Sequence, residues 1–157
     1  MSEPEAGTEE IQCSEIVYRA LKKAVPPGES IPAEAFMRRV RPLGSHPPTE
    51  DAVSLSRKKY ATAKECRSKL NRMRGTASLH VGRVRDLPLQ LEVRPDPVRG
   101  EDGDVVEPDH SLLMNLPDPV TDIHSAETAA SDLIRIARFV TPEEEEEEHR
   151  ARRTQLT

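Results

Sequence analysis

"EIVYRAL", residues 15–21, is the stretch on which the fold depends, because it fits two different elements. Its apolar positions continue to Ala24 at the spacing of one helical face, and Pro26-Pro27-Gly28 would end such a helix. The stretch is also rich in Ile, Val and Tyr, which favour strands. The spacing favours a helix here, with a short strand as the alternative.

Three later segments have the apolar spacing of helices that bury one face. In "IPAEAFMRRV", residues 31–40, an early proline suits the first helical turn, and Phe36 and Val40 fall on one side. Residues 61–73 predict a second helix, and residues 125–140 give the most regular pattern in the chain. The second helix would end at Gly75 and bury Ala63, Cys66, Leu70 and Met73, whereas the third would bury Ala126, Ala129, Ala130, Leu133, Ile134, Ala137 and Val140.

Two segments predict strands, and together with the helices they define the fold class. "DAVSLS", residues 51–56, reads as one short strand, and "LQLEV", residues 89–93, alternates apolar and polar positions. We therefore expect an α+β fold with a small mixed sheet flanked by helices. Residues 1–9 are expected to be a disordered leader, 10–140 a single globular domain and 141–157 a charged helical tail. In the second strand Leu89, Leu91 and Val93 would face inward, and Gln90 and Glu92 outward.

The tail predicts a polar helix with its own capping. Thr141 and Glu144 have the spacing of a capping box, with a proline at the first helical position. Glutamates at the start and arginines at the end match the helix dipole, and pairs such as Glu148 and Arg152 stand four residues apart. Such a helix has little to bury, so it is either solvated or bound to a partner.

The composition limits the compartment and the class of partner. A net charge of -5 argues against a protein whose whole surface binds nucleic acid, although it allows a local basic patch. The two cysteines, Cys13 and Cys66, have no metal-like spacing and indicate reduced thiols in the cytoplasm. The acidic N-terminus does not resemble a signal peptide, and no apolar run approaches the roughly 20 residues of a membrane span. We expect a soluble cytoplasmic protein with no membrane partner.

A basic stretch at residues 57–74 is the first candidate binding surface. Much of its charge would project outward from the predicted second helix, where it could contact phosphates or an acidic protein. Tyr60 is its single aromatic residue, which disfavours a platform for stacked bases. Besides contact with phosphates or with an acidic protein, a third interpretation is that the basic face is solvated or is paired with the chain's own acidic tail. Its basic residues are Arg57, Lys58, Lys59, Lys64, Arg67, Lys69, Arg72 and Arg74.

The acidic loop "PDPVRGEDGDVVEPDH", residues 95–110, is the second candidate. Its spacing fits neither a calcium loop nor a zinc motif, and Asp-Pro steps commonly begin and end turns. We therefore expect a surface connector with a mobile middle at 100–104, and no metal. His110 would lie at the boundary of the core as a candidate binding residue. Carboxylates that could otherwise gather around a cation are Asp96, Asp102, Asp104 and Asp109, and Leu112, Leu113 and Leu116 are expected to re-enter the core.

The first third of the chain resembles RES-type and other ADP-ribosyltransferase-like domains. The resemblance lies in the order of "VYR" (17–19), "AFMRR" (35–39), "AVSLS" (52–56) and "ATAKEC" (61–66). It implies an enzyme that consumes NAD. The roles it implies are a grip on the nucleotide phosphates by Arg19, support of the nicotinamide ribose by Ser54 or Ser56, and an acid supplied by Glu65 or Glu92.

The leading functional hypothesis is nevertheless a binding protein. The chain has no nucleophile elbow and no phosphate-cradling glycine loop, which favours a non-enzymatic role without a cofactor. We expect a small bacterial accessory protein that binds another macromolecule, mainly a protein, as an immunity, antitoxin or operon-partner component. The alternative is the NAD-consuming ADP-ribosyltransferase-like enzyme, either active or degenerate.

Overall fold

The computed structural model describes residues 5–155, so residues 1–4 of the expected leader and the last two residues of the tail lie outside the described part. Within this range short strands and short helices follow one another closely. In chain order they are β1 (Ile16–Leu21), a 3₁₀ helix (Ala33–Phe36), β2 (Val53–Arg57), α1 (Ala63–Ser68), β3 (Gly75–His80), α2 (Val81–Asp86), β4 (Glu92–Pro95), β5 (Val98–Arg99), β6 (Val105–Glu107), β7 (His110–Met114), α3 (Ile123–Ile136), β8 (Arg138–Val140) and α4 (Pro142–Gln155).

Six of the strands form one sheet in the order β4-β7-β2-β1-β3-β8, while β5 and β6 form a separate two-stranded ribbon. β1 lies inside the sheet, where Val17 pairs with Arg57 on β2 and with Leu79 on β3. Every strand pairing within residues 5–155 is antiparallel. Helices pack on both faces of this sheet, so the predicted α+β class is confirmed.

The favoured helix at residues 15–21 is wrong, since this stretch is the strand β1. Val17 and Leu21 point into the larger core, whereas Tyr18 and Ala20 point into a smaller core on the opposite face of the sheet. A strand that is covered on both faces loses the alternation of apolar and polar residues that marks a half-exposed strand. The remaining pattern of apolar positions then resembles the spacing of a helix.

The larger core lies between the sheet and three helical segments, namely the 3₁₀ helix, α2 and α3. Ala129, Ala130 and Leu133 of α3 are fully buried there, as their spacing predicted. The predicted helix at residues 125–140 is wrong at its C-terminal end, because the chain leaves the helix after Ile136 and continues as β8. The smaller core on the opposite face includes residues of α1 and is bordered by α4.

The predicted helix at residues 61–73 is also too long. Thr62 caps α1 by a reciprocal pair of hydrogen bonds with Glu65, but the helix ends after six residues. Leu70, expected in the core, is 52% exposed, and the positive φ of Arg72 turns the chain into β3. Gly75 begins β3 and does not stop a helix; a Cβ there would lie 2.9 Å from the ring of Phe139.

Two other predicted elements are shorter than expected. The segment 31–40 forms only a four-residue 3₁₀ helix; Phe36 is buried, but Val40 is 57% exposed. The strand predicted at residues 89–93 begins only at Glu92, because Gln90 has a positive φ. The strand at 51–56 is confirmed as β2. None of the helices in the described part of the chain has the length and apolarity that a membrane span requires.

Residues 5–15 pack against the rest of the fold, and this segment includes residues 5–9 of the predicted leader. Ile11 is fully buried in the larger core, and Gly7 packs against the backbone of Pro108. The guanidinium of Arg57 contacts two carboxylates of this segment. Its nitrogen atoms lie 2.9 and 3.0 Å from the carboxylate oxygens of Glu15, and one of them lies 3.0 Å from an oxygen of Glu9. The N-terminal segment is therefore anchored by a buried cation.

Candidate anion-binding surface

Three cations of the basic stretch are paired with the glutamate run of α4. Lys64 Nζ lies 2.8 Å from Glu146 Oε1, and Arg67 lies 2.8 Å from Glu145 Oε1. The hydrogen bond from Lys64 and the charge of this lysine hold the pKa of Glu146 below its ordinary value. The third pair, Lys58 with Glu148, is longer at 3.9 Å. For these three residues, the basic stretch is therefore paired with the chain's own acidic tail, which is one of the alternatives that the sequence left open.

The tail helix itself is neither fully solvated nor free. Glu145 is 5% exposed beneath α4, and Glu148 accepts a hydrogen bond of 2.7 Å from the backbone N–H of Ala63 at the start of α1. Glu148 also accepts a hydrogen bond from the hydroxyl of Tyr18 on β1. A helix with almost no apolar side chains is thus attached through its carboxylates.

Three more cations of the stretch are neutralised elsewhere. Arg57 is fully buried against Glu9 and Glu15, so it is a structural anchor and not a binding residue. Lys59 lies 3.0 Å from Glu9, and Lys69 pairs with the buried Asp109. These pairs connect the stretch to the N-terminal segment and to the start of β7.

Arg72 and Arg74 are different, since neither side chain has a hydrogen-bond or ion-pair partner within residues 5–155. Both are exposed in the loop between α1 and β3. The backbone N–H of Arg74 bonds to the carbonyl of Leu21 at the end of β1, which places the next two residues, Lys22 and Lys23, beside the same loop. Both lysines are exposed and have no side-chain partner in the described chain either.

We call Lys22, Lys23, Arg72 and Arg74 the four-cation surface. Leu70, which is half-exposed, lies in the same loop two residues before Arg72. The sequence pointed to Arg72 and Arg74 but missed the two lysines, because these lie on a different strand end. The sequence signal for them is the pair "KK" directly after residues 16–21. This signal is useful only when residues 16–21 are assigned as the strand β1 and paired with β3.

The side chains implied by the ADP-ribosyltransferase resemblance do not converge on one site. Tyr18 pairs with Ser56, so Ser54 and Ser56 share the face of Tyr18, and Arg19 projects from the opposite face. Arg19 donates to the carbonyls of Ala35 at 2.8 Å and Ser54 at 3.1 Å, and burial lowers the pKa of its guanidinium.

The two acids of that resemblance are also engaged in other contacts. Glu65 forms the capping box of α1. Glu92 lies 2.9 Å from Arg85; burial would raise its pKa, but hydrogen bonds from the backbone of Val93 and from Arg85 lower it below the ordinary value. The NAD-consuming enzyme therefore stays a prediction that no contact of these residues favours.

The acidic loop contains the β5–β6 ribbon, and its carboxylates point to different partners. Asp102 accepts a hydrogen bond from the backbone of Asp104 at 3.0 Å, while Asp109 pairs with Lys69. His110 Nδ1 lies 2.9 Å from the carbonyl of Asp96 and 3.1 Å from its carboxylate. In residues 5–155 no three His, Cys, Asp or Glu side chains are arranged to hold a metal ion. After the loop, Leu113 and Leu116 are buried and Leu112 is half-buried.

A cleft of about 160 Å³ lies where α4 crosses β1, β3 and β8. Its volume is below the range of about 300–1,000 Å³ that small-molecule pockets usually occupy. Its two cations, Lys58 and Arg138, are paired with Glu148 and Glu144 of α4. The four-cation surface is therefore a stronger candidate for binding than this cleft.

Comparisons with protein-family models, with curated proteins and with solved structures find no match to this chain.

Proposed function

We propose that this protein is a binding module whose four-cation surface holds an acidic partner protein. The observation that carries the proposal is a contrast within one basic stretch. Six of its eight cations are matched by carboxylates of the same chain, whereas Arg72 and Arg74 are exposed, unpaired within residues 5–155, and joined by Lys22 and Lys23. Unpaired like charges that lie close together repel one another, and an acidic partner relieves that repulsion.

The apolar neighbour of the cations favours a protein over a nucleic acid as the partner. Leu70 exposes half of its surface in the same loop as Arg72, and an apolar centre with a charged rim is typical of protein interfaces. The net charge of -5 opposes the approach of every anionic partner, but it opposes a nucleic acid most, because the phosphate backbone has the higher density of negative charge. We propose further that the role is that of an accessory protein in the cytoplasm of a bacterium, such as an immunity, antitoxin or operon-partner component.

Fluorescence anisotropy with two labelled probes tests the proposal. One probe is a peptide of alternating glutamate and leucine residues, and the other is a short DNA duplex. The double variant Lys22→Gln/Arg72→Gln should weaken peptide binding by about five- to thirtyfold, since each lost charge contact is worth roughly 0.5–1 kcal/mol. The control Arg83→Gln/Arg94→Gln makes the same change of charge at two exposed positions and should leave binding unchanged.

Three outcomes are distinguishable. Peptide binding that depends on Lys22 and Arg72, and that exceeds duplex binding at equal salt, supports the proposal. Tighter binding of the duplex, with a steep dependence on salt, would show that the partner is a nucleic acid and not an acidic protein. Equal losses in the variant and in the control would remove the four-cation surface as the site.

A further inference from the structure

The surface beneath α4 is a second basic surface, separate from the four-cation surface. It consists of Lys58, Lys64 and Arg67 together with two hydrogen-bond donors, the hydroxyl of Tyr18 and the backbone N–H of Ala63. A carboxylate is held at each of these groups, and all of these carboxylates come from one helix. The surface therefore recognises a row of glutamates at helical spacing.

The helix that occupies this surface is held by charge and not by apolar burial. Within "PEEEEEEHRARRTQ", the sequence of α4, the single apolar side chain apart from its first proline is the exposed Ala151, and the single buried residue is Glu145. The pairs of α4 with Lys58 and Lys64 are partly exposed, and such pairs contribute only about 0–1 kcal/mol each and weaken as salt increases. α4 is thus attached by contacts that another glutamate-rich helix can reproduce.

We infer that the surface beneath α4 is a docking site for a glutamate-rich helix of a partner protein, and that α4 is an internal occupant that such a helix displaces. The charge complementarity between the surface and α4 specifies the chemistry of the partner. Only Thr141 separates β8 from α4, so the tethered helix competes at a high effective concentration. α4 therefore lowers the apparent affinity for the partner and selects for helices with several correctly spaced glutamates.

The test adds a labelled peptide with the sequence of residues 142–155 to the full-length protein. The variant Glu145→Gln/Glu148→Gln loosens the attached helix, and we expect it to bind the peptide about tenfold more tightly than the wild type does. The control Glu143→Gln/Glu147→Gln makes the same change of charge on the exposed side of the same helix and should bind like the wild type. A peptide with all glutamates replaced by glutamine should not bind.

A second measurement does not depend on any variant. Hydrogen exchange of the wild-type amides at low and at high salt should show faster exchange in α4 as salt increases, with α3 unchanged. Equal peptide affinity in both double variants, or exchange in α4 that ignores salt, would overturn the inference. So would a dimer that forms on loosening of α4, since the occupant would then be a second copy of this chain. Because Lys22 and Arg72 lie outside this surface, Lys22→Gln/Arg72→Gln should leave the peptide result unchanged, which separates this test from that of the proposed function.

Discussion

The hydroxyl of Tyr18 donates a hydrogen bond to the carboxylate of Glu148, which stands 130 residues later in the chain. Tyr18 lies on the interior strand β1, so this bond joins the middle of the sheet to the C-terminal helix. Burial raises the pKa of the tyrosine hydroxyl, and the bond to Glu148 raises it further. The phenol therefore keeps its proton and remains a donor at neutral pH.

Tyr18→Phe should loosen α4 without disrupting the sheet. The variant leaves a part-buried carboxylate without one of its donors, and hydrogen bonds to charged groups contribute about 1.5–3 kcal/mol. We expect a loss of this size in the free energy of unfolding, with faster amide exchange confined to α4. Tyr60→Phe is the control, because its hydroxyl bonds to Glu9; accelerated exchange in α4 of that variant would contradict the prediction.

Arg57→Ala should be among the most destabilising changes in the chain. The guanidinium is completely buried between Glu9 and Glu15, and its removal leaves two carboxylates without their shared cation. Breaking a buried pair in this way costs about 3–5 kcal/mol. The neighbouring Lys58→Ala breaks a half-exposed pair and should cost at most about 1 kcal/mol in urea denaturation. Similar losses in the two variants would show that Arg57 does not anchor the N-terminal segment.

Alanine substitutions at two glycines with the same φ distinguish the cost of steric crowding from the cost of backbone strain. Gly7 and Gly103 both have φ of 88°, but a Cβ on Gly7 would lie 2.3 Å from the carbonyl oxygen of Pro108, whereas nothing lies within 4 Å of one on Gly103. Gly103→Ala should cost about 1 kcal/mol through φ alone. Gly7→Ala should cost about 1–3 kcal/mol more, because the N-terminal segment must move away. Thermal denaturation measures both, and equal losses would mean that residues 5–9 are not packed against Pro108.

Glu9 should make stability depend on pH in the acid range. Burial alone would raise its pKa, but hydrogen bonds from Tyr60 and Lys59 and the charge of Arg57 lower it from 4.5 to about 2. The unfolded chain therefore takes up the proton first as pH falls. The stabilisation is complete above about pH 4.5 and is lost progressively towards about pH 2.

The corresponding test compares Glu9→Gln with the wild type in urea denaturation at several pH values. The variant should be less stable at neutral pH, and the difference should shrink between about pH 4.5 and pH 2. Glu10→Gln changes an exposed neighbour and should show no such trend. A difference that stays constant across this range would mean that Glu9 has an ordinary pKa.

The sequence was sufficient for the fold class and for the existence of α3, whose buried alanines and Leu133 have regular helical spacing, but not for the C-terminal end of this helix. It was misleading at β1, because Tyr18 and Val17 are buried on opposite faces, so apolar and polar residues do not alternate along this strand. Only the pairing of β1 with both β2 and β3 resolves that stretch, and this pairing joins residues far apart in the chain.

The candidate site was only partly predictable for the same reason. The basic stretch is visible in the sequence, but whether each cation is free depends on carboxylates that are remote in the chain. Arg67 and Arg72 look equivalent when the chain is read residue by residue. The fold gives Arg67 a partner at Glu145 and gives Arg72 none within residues 5–155. Such differences arise from tertiary structure and leave no local pattern.

The strand order also has a consequence for how molecules of this protein meet one another at high concentration. An unpaired sheet edge can recruit a strand from another molecule and begin aggregation. The outermost strands here are β4, with four residues that include the exposed Arg94 and the half-buried Pro95, and β8, with three residues that begin at the exposed Arg138. Short edges with charged residues or proline pair poorly with other strands. The longest strands, β1 and β3, have neighbours on both sides. Where these neighbours pair with them, the backbone N–H and C=O groups of β1 and β3 are bonded within the sheet and are not available to a strand of a second molecule.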